Sequence, residues 1–182
     1  MELLLVTGNP HKAKQIQAVL GRSVQAIQLD LPEVQAIDVN AVIEQKAREA
    51  YRQLGKPVLV EDTSLAIHAW QGLPGALIRW FLDTVSNEGI CQMLTAFEHL
   101  EATAETCIGY FDGAAFRSFS GTVEGEITRY PRGNGGFGWD AIFMPKGWDK
   151  TFAEMTREED DTVSMRKIAV LKLQAFLDEQ GL

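Results

Sequence analysis

The chain has 182 residues, 46% of them hydrophobic and 23% charged, which is enough for one sizeable α/β domain, and we expect residues 1–182 to form it. Its net charge of −8 makes binding to a nucleic-acid backbone or to an anionic membrane surface unfavourable. We expect no secretory signal, since MELLLVTGN contains an acid and only five apolar residues. The sequence shows no apolar run of membrane-spanning length and no zinc-type spacing around Cys91 and Cys107. We therefore expect a cytoplasmic protein with two reduced, buried thiols.

The first part of the chain alternates strands and helices. The predicted elements are, in order, a strand at 3–6, a helix at 11–20, a strand at 24–29, a helix at 41–54 and a strand that begins at 58. Pro10 suits the first turn of the first helix, and Asn40 is the expected N-cap of the second, which ends at Gly55. We expect the third strand to end at two acids, Glu61 and Asp62. This order favours a parallel or mixed sheet with flanking helices.

The second part contains a hairpin, a glycine-rich loop and a long final helix. Helical stretches are predicted at 77–82 and 88–97, strands at 103–111, 114–127 and 141–144, and a last helix at 165–179. Asp112-Gly113 between the two long strands is a strong hairpin signal. Thr156 and Glu159 have the spacing of a capping box. The last helix carries an apolar stripe formed by Ala169, Leu173, Phe176 and Leu177.

The stretch TGNPHK at residues 7–12 is a candidate phosphate-binding loop. It joins a buried strand to a helix N-terminus, where free N–H groups and the positive end of the helix dipole favour an anion. Gly8 allows close approach of a ligand, Asn9 can donate from its amide, and Lys12 adds a positive charge. The stretch lacks the Walker A pattern, and an ordinary strand-to-helix turn is the alternative.

The stretch GNGGFGWD at 133–140 contains the letters of the dinucleotide-binding pattern G-x-G-x-x-G. A predicted strand follows it, whereas the dinucleotide-binding pattern requires a helix at this point, so we do not assign that function to the stretch. Phe137 and Trp139 among glycines are typical of an aromatic platform for a nucleobase. Aromatic packing at a loop hinge is the alternative.

Three acids are candidate ligands of a hard cation. Carboxylate oxygens, together with water and substrate phosphate, are the ligands that Mg²⁺ prefers. Because side chains alternate along a strand, Glu61 and Asp62 should point to opposite sides, so only one of them can join Glu33 at a cleft. The alternative is that these acids cap local turns or solvate the strand end.

Several basic residues are candidates for contacts to an anion. Arg166 lies near the start of the last helix, which Ser164 can cap, and a positive charge there is unfavourable for the helix alone. It is therefore a candidate ligand for a carboxylate or a substrate. Lys46 and Arg79 are candidates for phosphate contacts. For each of these side chains a solvated surface charge is the alternative.

In this order, these pieces resemble the inosine triphosphate pyrophosphatases, the Ham1-like family that hydrolyses deaminated purine nucleoside triphosphates. The matching stretches are TGNPHK, LPE at 31–33, EQKAREA at 44–50, VEDTSL at 60–65, GLPG at 72–75, RWFL at 79–82, GGFGWDAIF at 135–143, TFAEM at 151–155 and VS-R at 163–166. The resemblance implies an elongated mixed β-sheet with flanking helices, in two lobes with a nucleotide cleft between them. It also implies a homodimer, a Mg²⁺ cofactor, and cleavage of a purine nucleoside triphosphate to monophosphate and pyrophosphate.

The resemblance also implies roles for individual residues. The substrate-binding positions are Thr7, Gly8, Asn9, Lys12, Lys46, Thr63, Arg79, Phe137, Gly138, Trp139, Asp140, Ser164, Met165 and Arg166. Those that hold phosphates are Thr7, Asn9, Lys12, Lys46 and Arg79. Phe137 stacks on the base, and Trp139, Asp140 and Arg166 complete the base and sugar pocket. The metal ligands are Glu33 and Asp62, and Asp62 is also the catalytic residue that polarises the attacking water.

Two positions depart from the family pattern, since Met165 stands where the family usually has histidine and Asp160 where it often has lysine. Methionine cannot reproduce the polar contacts of histidine. We therefore expect weaker discrimination between ITP and ATP, unless Met165 packs in the core. The alternatives are the same hydrolysis with another base preference, or a nucleotide-binding protein without turnover. The presence of Glu33 and Asp62 favours an enzyme.

Overall fold

The structure, a computed structural model, describes residues 3–182. The chain divides into two compact units. The first unit contains the described chain through Thr63, together with Thr106–Gly121 and Met165–Leu182. The second unit contains Ser64–Glu105 and Thr122–Ser164. No helix within the described residues is both long and apolar enough to cross a membrane.

The elements confirm the predicted α/β fold class with a mixed sheet. The strands of residues 3–182 are β1 (Leu3–Val6), β2 (Val24–Ile27), β3 (Val58–Ile67), β4 (Pro74–Gly75), β5 (Glu101–Phe111), β6 (Phe116–Ile127) and β7 (Phe143–Pro145). The helices in the same range are α1 (Pro10–Leu20), α2 (Val39–Leu54), α3 (Ile78–Met93), α4 (Arg157–Val163) and α5 (Met165–Gln180), with 3₁₀ turns at His68–Trp70 and Phe152–Glu154.

The strands of this described range form one seven-stranded sheet in the order β2-β1-β3-β5-β6-β7, with β4 paired to β3. Strand β1 is parallel to both β2 and β3, whereas the β3–β4 and β6–β7 pairs are antiparallel. Strands β5 and β6 are neighbours joined by four residues, a connection too short for a parallel pair, so the hairpin predicted at Asp112 is confirmed. The Asp112 carboxylate accepts hydrogen bonds from the backbone N–H groups of Ala114 and Ala115, both at 2.8 Å.

The two acids of β3 lie in the middle of the strand, not at its end. The parallel register of β1 and β3 stops at the pair Val6–Val60, but β3 continues to Ile67. The prediction of a strand that ends at the acids was wrong because β4 pairs with Leu65 and Ala66 and extends the strand. Glu61 and Asp62 therefore follow directly after the last residue that pairs with β1.

Helix α2 begins two residues earlier than predicted. Its N-cap is Asp38, whose carboxylate accepts from the backbone N–H of Asn40 at 2.9 Å, so the assignment of Asn40 as the cap was wrong. Both side chains can cap a helix, and the sequence alone does not decide between them. Gly55 ends the helix as predicted, and its N–H donates to the Tyr51 carbonyl at 2.7 Å.

The core of the first unit joins the sheet to α1 and α5. Leu5 and Leu59 of the sheet pack with Ile16 of α1. The apolar stripe predicted on α5 is confirmed, since Ala169, Leu173 and Leu177 are fully buried in this cluster and Phe176 packs against it. Burial of these side chains supplies most of the stability that such an amphipathic helix gains from folding.

Helix α5 lies directly on the backbone of β6 at Gly121. A Cβ atom at this position would lie 2.0 Å from the carbonyl oxygen of Met165 and 2.8 Å from the backbone nitrogen of Ala169. Cβ atoms essentially never approach other atoms this closely, so the residue at 121 has no room for a side chain. The start of α5 is therefore held at a fixed distance from the strand.

Helix α3 of the second unit is interrupted at Ser86. The backbone there has φ 61° and ψ −177°, which is not helical. The two helical stretches predicted at 77–82 and 88–97 correspond to the two parts of α3, although its second part ends at Met93. The capping box of Thr156 and Glu159 at the start of α4 is also confirmed.

Both thiols are free and buried, as predicted, and we expect neither to react in the folded protein. Burial, together with the charge of Glu88, raises the pKa of Cys91 to about 11. Because the thiolate is the reactive form, we expect no rapid reaction of Cys91 or Cys107 with Ellman's reagent at pH 8. Both should react after denaturation in guanidinium chloride. A fast reaction of the folded protein would contradict this burial.

Candidate functional site

Three carboxylates and three basic groups meet in the first unit, beyond the last β1–β3 pair. This acid–base cluster consists of Glu33, Glu61, Asp62, Lys12, Lys46 and Arg166. The Nζ atom of Lys46 lies 2.7 Å from an oxygen of Glu33 and 3.5 Å from Oδ2 of Asp62. The Nζ atom of Lys12 lies 3.5 Å from the other Asp62 oxygen. Five of the six residues were predicted for the site from the sequence, and Glu61 was not.

The positions of these side chains on their helices and strands explain why they lie close together. Lys12 lies in the first turn of α1, directly after the loop that follows β1. Lys46 lies one turn after Val42 and thus on the buried face of α2, and its side chain is only 14% exposed. A lysine in that position extends its aliphatic stem along the apolar surface and places its ammonium group at the edge. Asp62 meets both lysines from β3.

The charges of the cluster determine its protonation. Burial acts to raise the pKa of Asp62, but the charges of Lys12 and Lys46 and the N–H of Thr63 outweigh it, and the pKa lies below its ordinary value. Burial acts to lower the pKa of Lys46, but Asp62 and Glu33 outweigh it, and this pKa is raised. At neutral pH, Asp62 is therefore ionised and Lys46 is protonated.

Glu61 was one of the three candidate acids, but no place in the site was assigned to it from the sequence. Its side chain is fully buried, with Oε2 3.1 Å from Nζ of Lys12. Nζ of Lys12 contacts both Glu61 and Asp62, but only Asp62 is partly exposed and shares Lys46 with Glu33, which agrees with the prediction that one of the two acids joins Glu33. The alternation of side chains along a strand does not limit the reach of a long lysine. The available signal was an acid within an apolar run, which requires a cation as partner.

The loop Thr7–Asn9 has a defined local structure. The backbone N–H of Asn9 donates to the hydroxyl of Thr7 at 3.0 Å, and helix α1 begins at the next residue. Gly8 is exposed, and a Cβ atom there would make only an ordinary contact of 3.8 Å with Gln28. The fold itself therefore does not require glycine at this position, which leaves close approach of a ligand as a reason for it.

The predicted residues of the glycine-rich loop lie in the second unit. A carboxylate oxygen of Asp140 accepts from the backbone N–H of Phe137 at 2.7 Å. Gly136 has φ +67°, and a Cβ atom there would lie 2.3 Å from this carboxylate, so the tight loop requires glycine. The side-chain amide of Asn87, next to the interruption of α3, donates to the Gly138 carbonyl at 2.9 Å. Hydrogen bonds with the side chains of Asp140 and Asn87 thus fix the backbone of the loop.

The two aromatic residues of this loop differ in their surroundings. Trp139 is 4% exposed and packs edge-on against Phe143, with ring centroids 5.6 Å apart. Its ring belongs to the core of the second unit, as the packing alternative states, and a contact of Trp139 with substrate stays a prediction. Phe137 is half-buried and stays the candidate for stacking on a base.

The remaining predicted residues have the following places. Arg79 is on α3 of the second unit, where its exposed side chain lies 3.3 Å from Asp83. Ser164 lies between α4 and α5. Met165 is 6% exposed, which agrees with the alternative that this side chain packs in the core. Nothing in these positions tests their predicted contacts with substrate.

The donor atoms of the cluster fit a magnesium ion that is shared with a substrate. Within residues 3–182, no three His, Cys, Asp or Glu side chains form a group that could hold a metal alone. Glu33 and Asp62, however, both contact Lys46, so carboxylates from two segments approach one ammonium group. Two carboxylates completed by water and phosphate form a ligand set that suits Mg²⁺ and lacks the nitrogen and sulfur ligands of transition metals.

Comparison with known proteins gives consistent matches over almost the full chain. The Ham1 family pattern matches residues 3–176. The inosine triphosphate pyrophosphatase of Schizosaccharomyces pombe is 40% identical over 98% of this chain and 96% of that protein. The dITP/XTP pyrophosphatase of Methanopyrus kandleri is 40% identical over 93% of each chain. A solved Ham1 protein from Coxiella burnetii has a TM-score of 0.87 at 28% identity, covering 98% of this chain and 99% of that one.

Proposed function

Because the chain belongs to the Ham1 family, we propose that it hydrolyses the deaminated purine nucleoside triphosphates ITP, dITP and XTP to the monophosphate and pyrophosphate. The names of the similar proteins from yeast and from an archaeon support this substrate class. The observation that carries the proposal is the convergence of Lys12 and Lys46 on Asp62, each at 3.5 Å. This arrangement combines cations for phosphate with a carboxylate that can orient a water molecule.

The lysines and the Thr7–Asn9 loop form the phosphate-binding part. The first turn of α1 offers free N–H groups and the positive end of the helix dipole. The raised pKa of Lys46, which Asp62 and Glu33 maintain against the effect of burial, keeps its ammonium group charged at neutral pH. Phosphate oxygens can take over contacts that Lys12 and Lys46 make with carboxylates in this structure.

Asp62 contributes to hydrolysis by orienting and polarising the attacking water. The water oxygen bonds to the α-phosphorus, the bond from this phosphorus to the oxygen bridging to the β-phosphorus breaks, and pyrophosphate leaves. Because its pKa is lowered, Asp62 is ionised at neutral pH, so its carboxylate can both orient the water and accept a proton from it. Magnesium, held by Glu33 and Asp62, would offset the charge of the triphosphate.

A shifted base preference is the second candidate function. Met165 and Asp160 stand where the resemblance leads us to expect histidine and lysine, which favours this candidate, whereas the burial of Met165 counts against it. In this candidate the same hydrolysis acts on a wider set of purine triphosphates. A binding protein without turnover is less well supported, because such a protein does not require both Glu33 and Asp62.

A panel of triphosphates with Mg²⁺, analysed by chromatography, tests the proposal. We expect ITP, dITP and XTP to give their monophosphates and pyrophosphate, with ATP and GTP turned over more slowly. Formation of IDP and orthophosphate would contradict the reaction type. Absence of turnover for every triphosphate would contradict an enzymatic function, and equal rates for ITP and ATP would favour the second candidate.

Glu33→Gln is expected to raise the Mg²⁺ concentration that gives half-maximal activity by about tenfold or more, because a charged oxygen ligand is lost. A magnesium titration of the rate measures this. The control is Glu44→Gln, because Glu44 is paired with Arg48 at 2.7 Å on the exposed side of α2. A magnesium requirement equal to that of the control would exclude Glu33 as a ligand.

We also propose a cytoplasmic homodimer, on the resemblance alone. Sedimentation equilibrium at micromolar concentration should give the mass of two chains. A mass of one chain over the whole concentration range would contradict this expectation.

A further inference from the structure

Glu61 is the most deeply buried charge of the acid–base cluster. Its side chain has no exposed surface, and it lies between Val60 and Asp62 in the middle of β3. A carboxylate in such a place is costly unless it is paired. Its two oxygens have different partners, since Oε2 lies 3.1 Å from Nζ of Lys12 and Oε1 accepts from Nη2 of Arg166 at 3.2 Å.

The guanidinium group of Arg166 is held in a fixed orientation. Its Nη1 atom donates to the side-chain oxygen of Gln15 on α1 at 2.6 Å, while its Nη2 atom donates to Glu61 on β3. Two acceptors from different elements fix the plane of this rigid, forked group. The side chain is 7% exposed, so this orientation is not averaged by solvent.

A contribution to stability does not by itself explain why Glu61 and Arg166 are buried as an ion pair. Arg166 is the second residue of α5, where a positive charge opposes the helix dipole. A buried ion pair is often no more stabilising than apolar residues of similar size. Lys12 already has a second carboxylate, Asp62, at 3.5 Å, so Glu61 is not needed to give this lysine a partner.

We propose that Glu61 is a positioning residue that determines base specificity by holding Arg166 and Lys12 on one rigid carboxylate. The inference rests on the proposed function, in which Lys12 binds phosphate and Arg166 contributes to the base pocket. Arginine carries only hydrogen-bond donors, so it favours the oxo group of a deaminated purine over the amino group of adenine. Glu61 thereby fixes the base-reading donors relative to the phosphate-binding lysine.

Glu61→Gln is the main test. We expect kcat/KM for ITP to fall by about tenfold and that for ATP to change much less, because a site built for an oxo group loses its aligned donors. Inorganic tripolyphosphate, which has no base, should inhibit the variant as well as or better than the wild type, since Lys12 loses a competing carboxylate. The binding of IMP and AMP, measured by calorimetry, gives the same comparison without turnover.

A purely structural role predicts a different result. It would lower kcat/KM for ITP and for ATP and weaken inhibition by tripolyphosphate, all to a similar extent. The ratio of kcat/KM for ITP to that for ATP would then be unchanged, which would overturn the proposal. Glu44→Gln is the control for loss of an ion pair and should leave all three values unchanged. If Glu61→Gln does not fold, Glu61→Asp keeps the charge but is one methylene shorter, and it should also lower the ratio. An unchanged ratio in that variant would equally overturn the proposal.

The rates of the wild-type protein with ITP and ATP distinguish failure of this inference from failure of the proposed function. If the wild type shows no preference for ITP over ATP, the proposed substrate class fails and the inference with it. If the wild type prefers ITP and both Glu61 variants keep that preference, only the positioning role of Glu61 fails.

Discussion

Asp62→Asn is expected to lower kcat for ITP by about 10²–10⁴-fold, the range for a positioned acid–base group. The change is nearly isosteric but removes the charge that orients water and contributes to the magnesium site. The fold should remain intact, because Lys46 keeps its contact with Glu33 and Lys12 keeps its contact with Glu61. Steady-state kinetics at saturating Mg²⁺, with circular dichroism of both proteins, measures the effect.

Asp178→Asn is a matched control for Asp62→Asn. Asp178 is a half-exposed carboxylate on α5 of the same unit and pairs with Arg22. This control should keep the wild-type rate. Near wild-type turnover of Asp62→Asn would exclude the catalytic role, whereas a loss of circular dichroism in that variant would mean that Asp62 is required for folding.

Leu59→Ala is expected to lower the free energy of unfolding by about 2–5 kcal/mol, the usual cost of a large-to-small change in a close-packed core. Leu59 is 1% exposed and packs in the cluster that joins β3 to α1 and α5. Urea denaturation measures the change. Ile168→Ala on α5, where the side chain is 38% exposed, is the control and should cost much less. Equal midpoints for the two variants would contradict the burial of Leu59.

The first elements could be predicted from the sequence because local signals agree with the tertiary structure. Pro10 and Gly21 bound α1, and a purely apolar run forms β1. The extension of β3 to Ile67 could not be predicted, since it depends on pairing with two residues at Pro74–Gly75 that have no strand pattern. Local signals cannot report a partner that is distant in the chain.

The residues of the site also divide into those that could be predicted from the sequence and those that could not. Lys12, Lys46, Glu33 and Asp62 could be named from the family resemblance, which full-length similarity to Ham1 proteins confirms, and the structure brings these four together. Glu61 was considered but not assigned to the site, because alternation along a strand describes where a side chain starts, not how far its partner can reach.

The absence of a side chain at Gly121 has a consequence for the choice of substrate. The first residue of α5 packs on this glycine, with its carbonyl oxygen 2.0 Å from where a Cβ atom would lie, and Arg166 is the next residue. Any larger residue at 121 would displace the start of the helix and carry the guanidinium group away from Glu61. Selectivity between nucleobases, in the proposed function, thus depends on a strand position with no functional group of its own. Substitutions that alter selectivity can therefore arise at a residue that touches neither nucleotide nor ion.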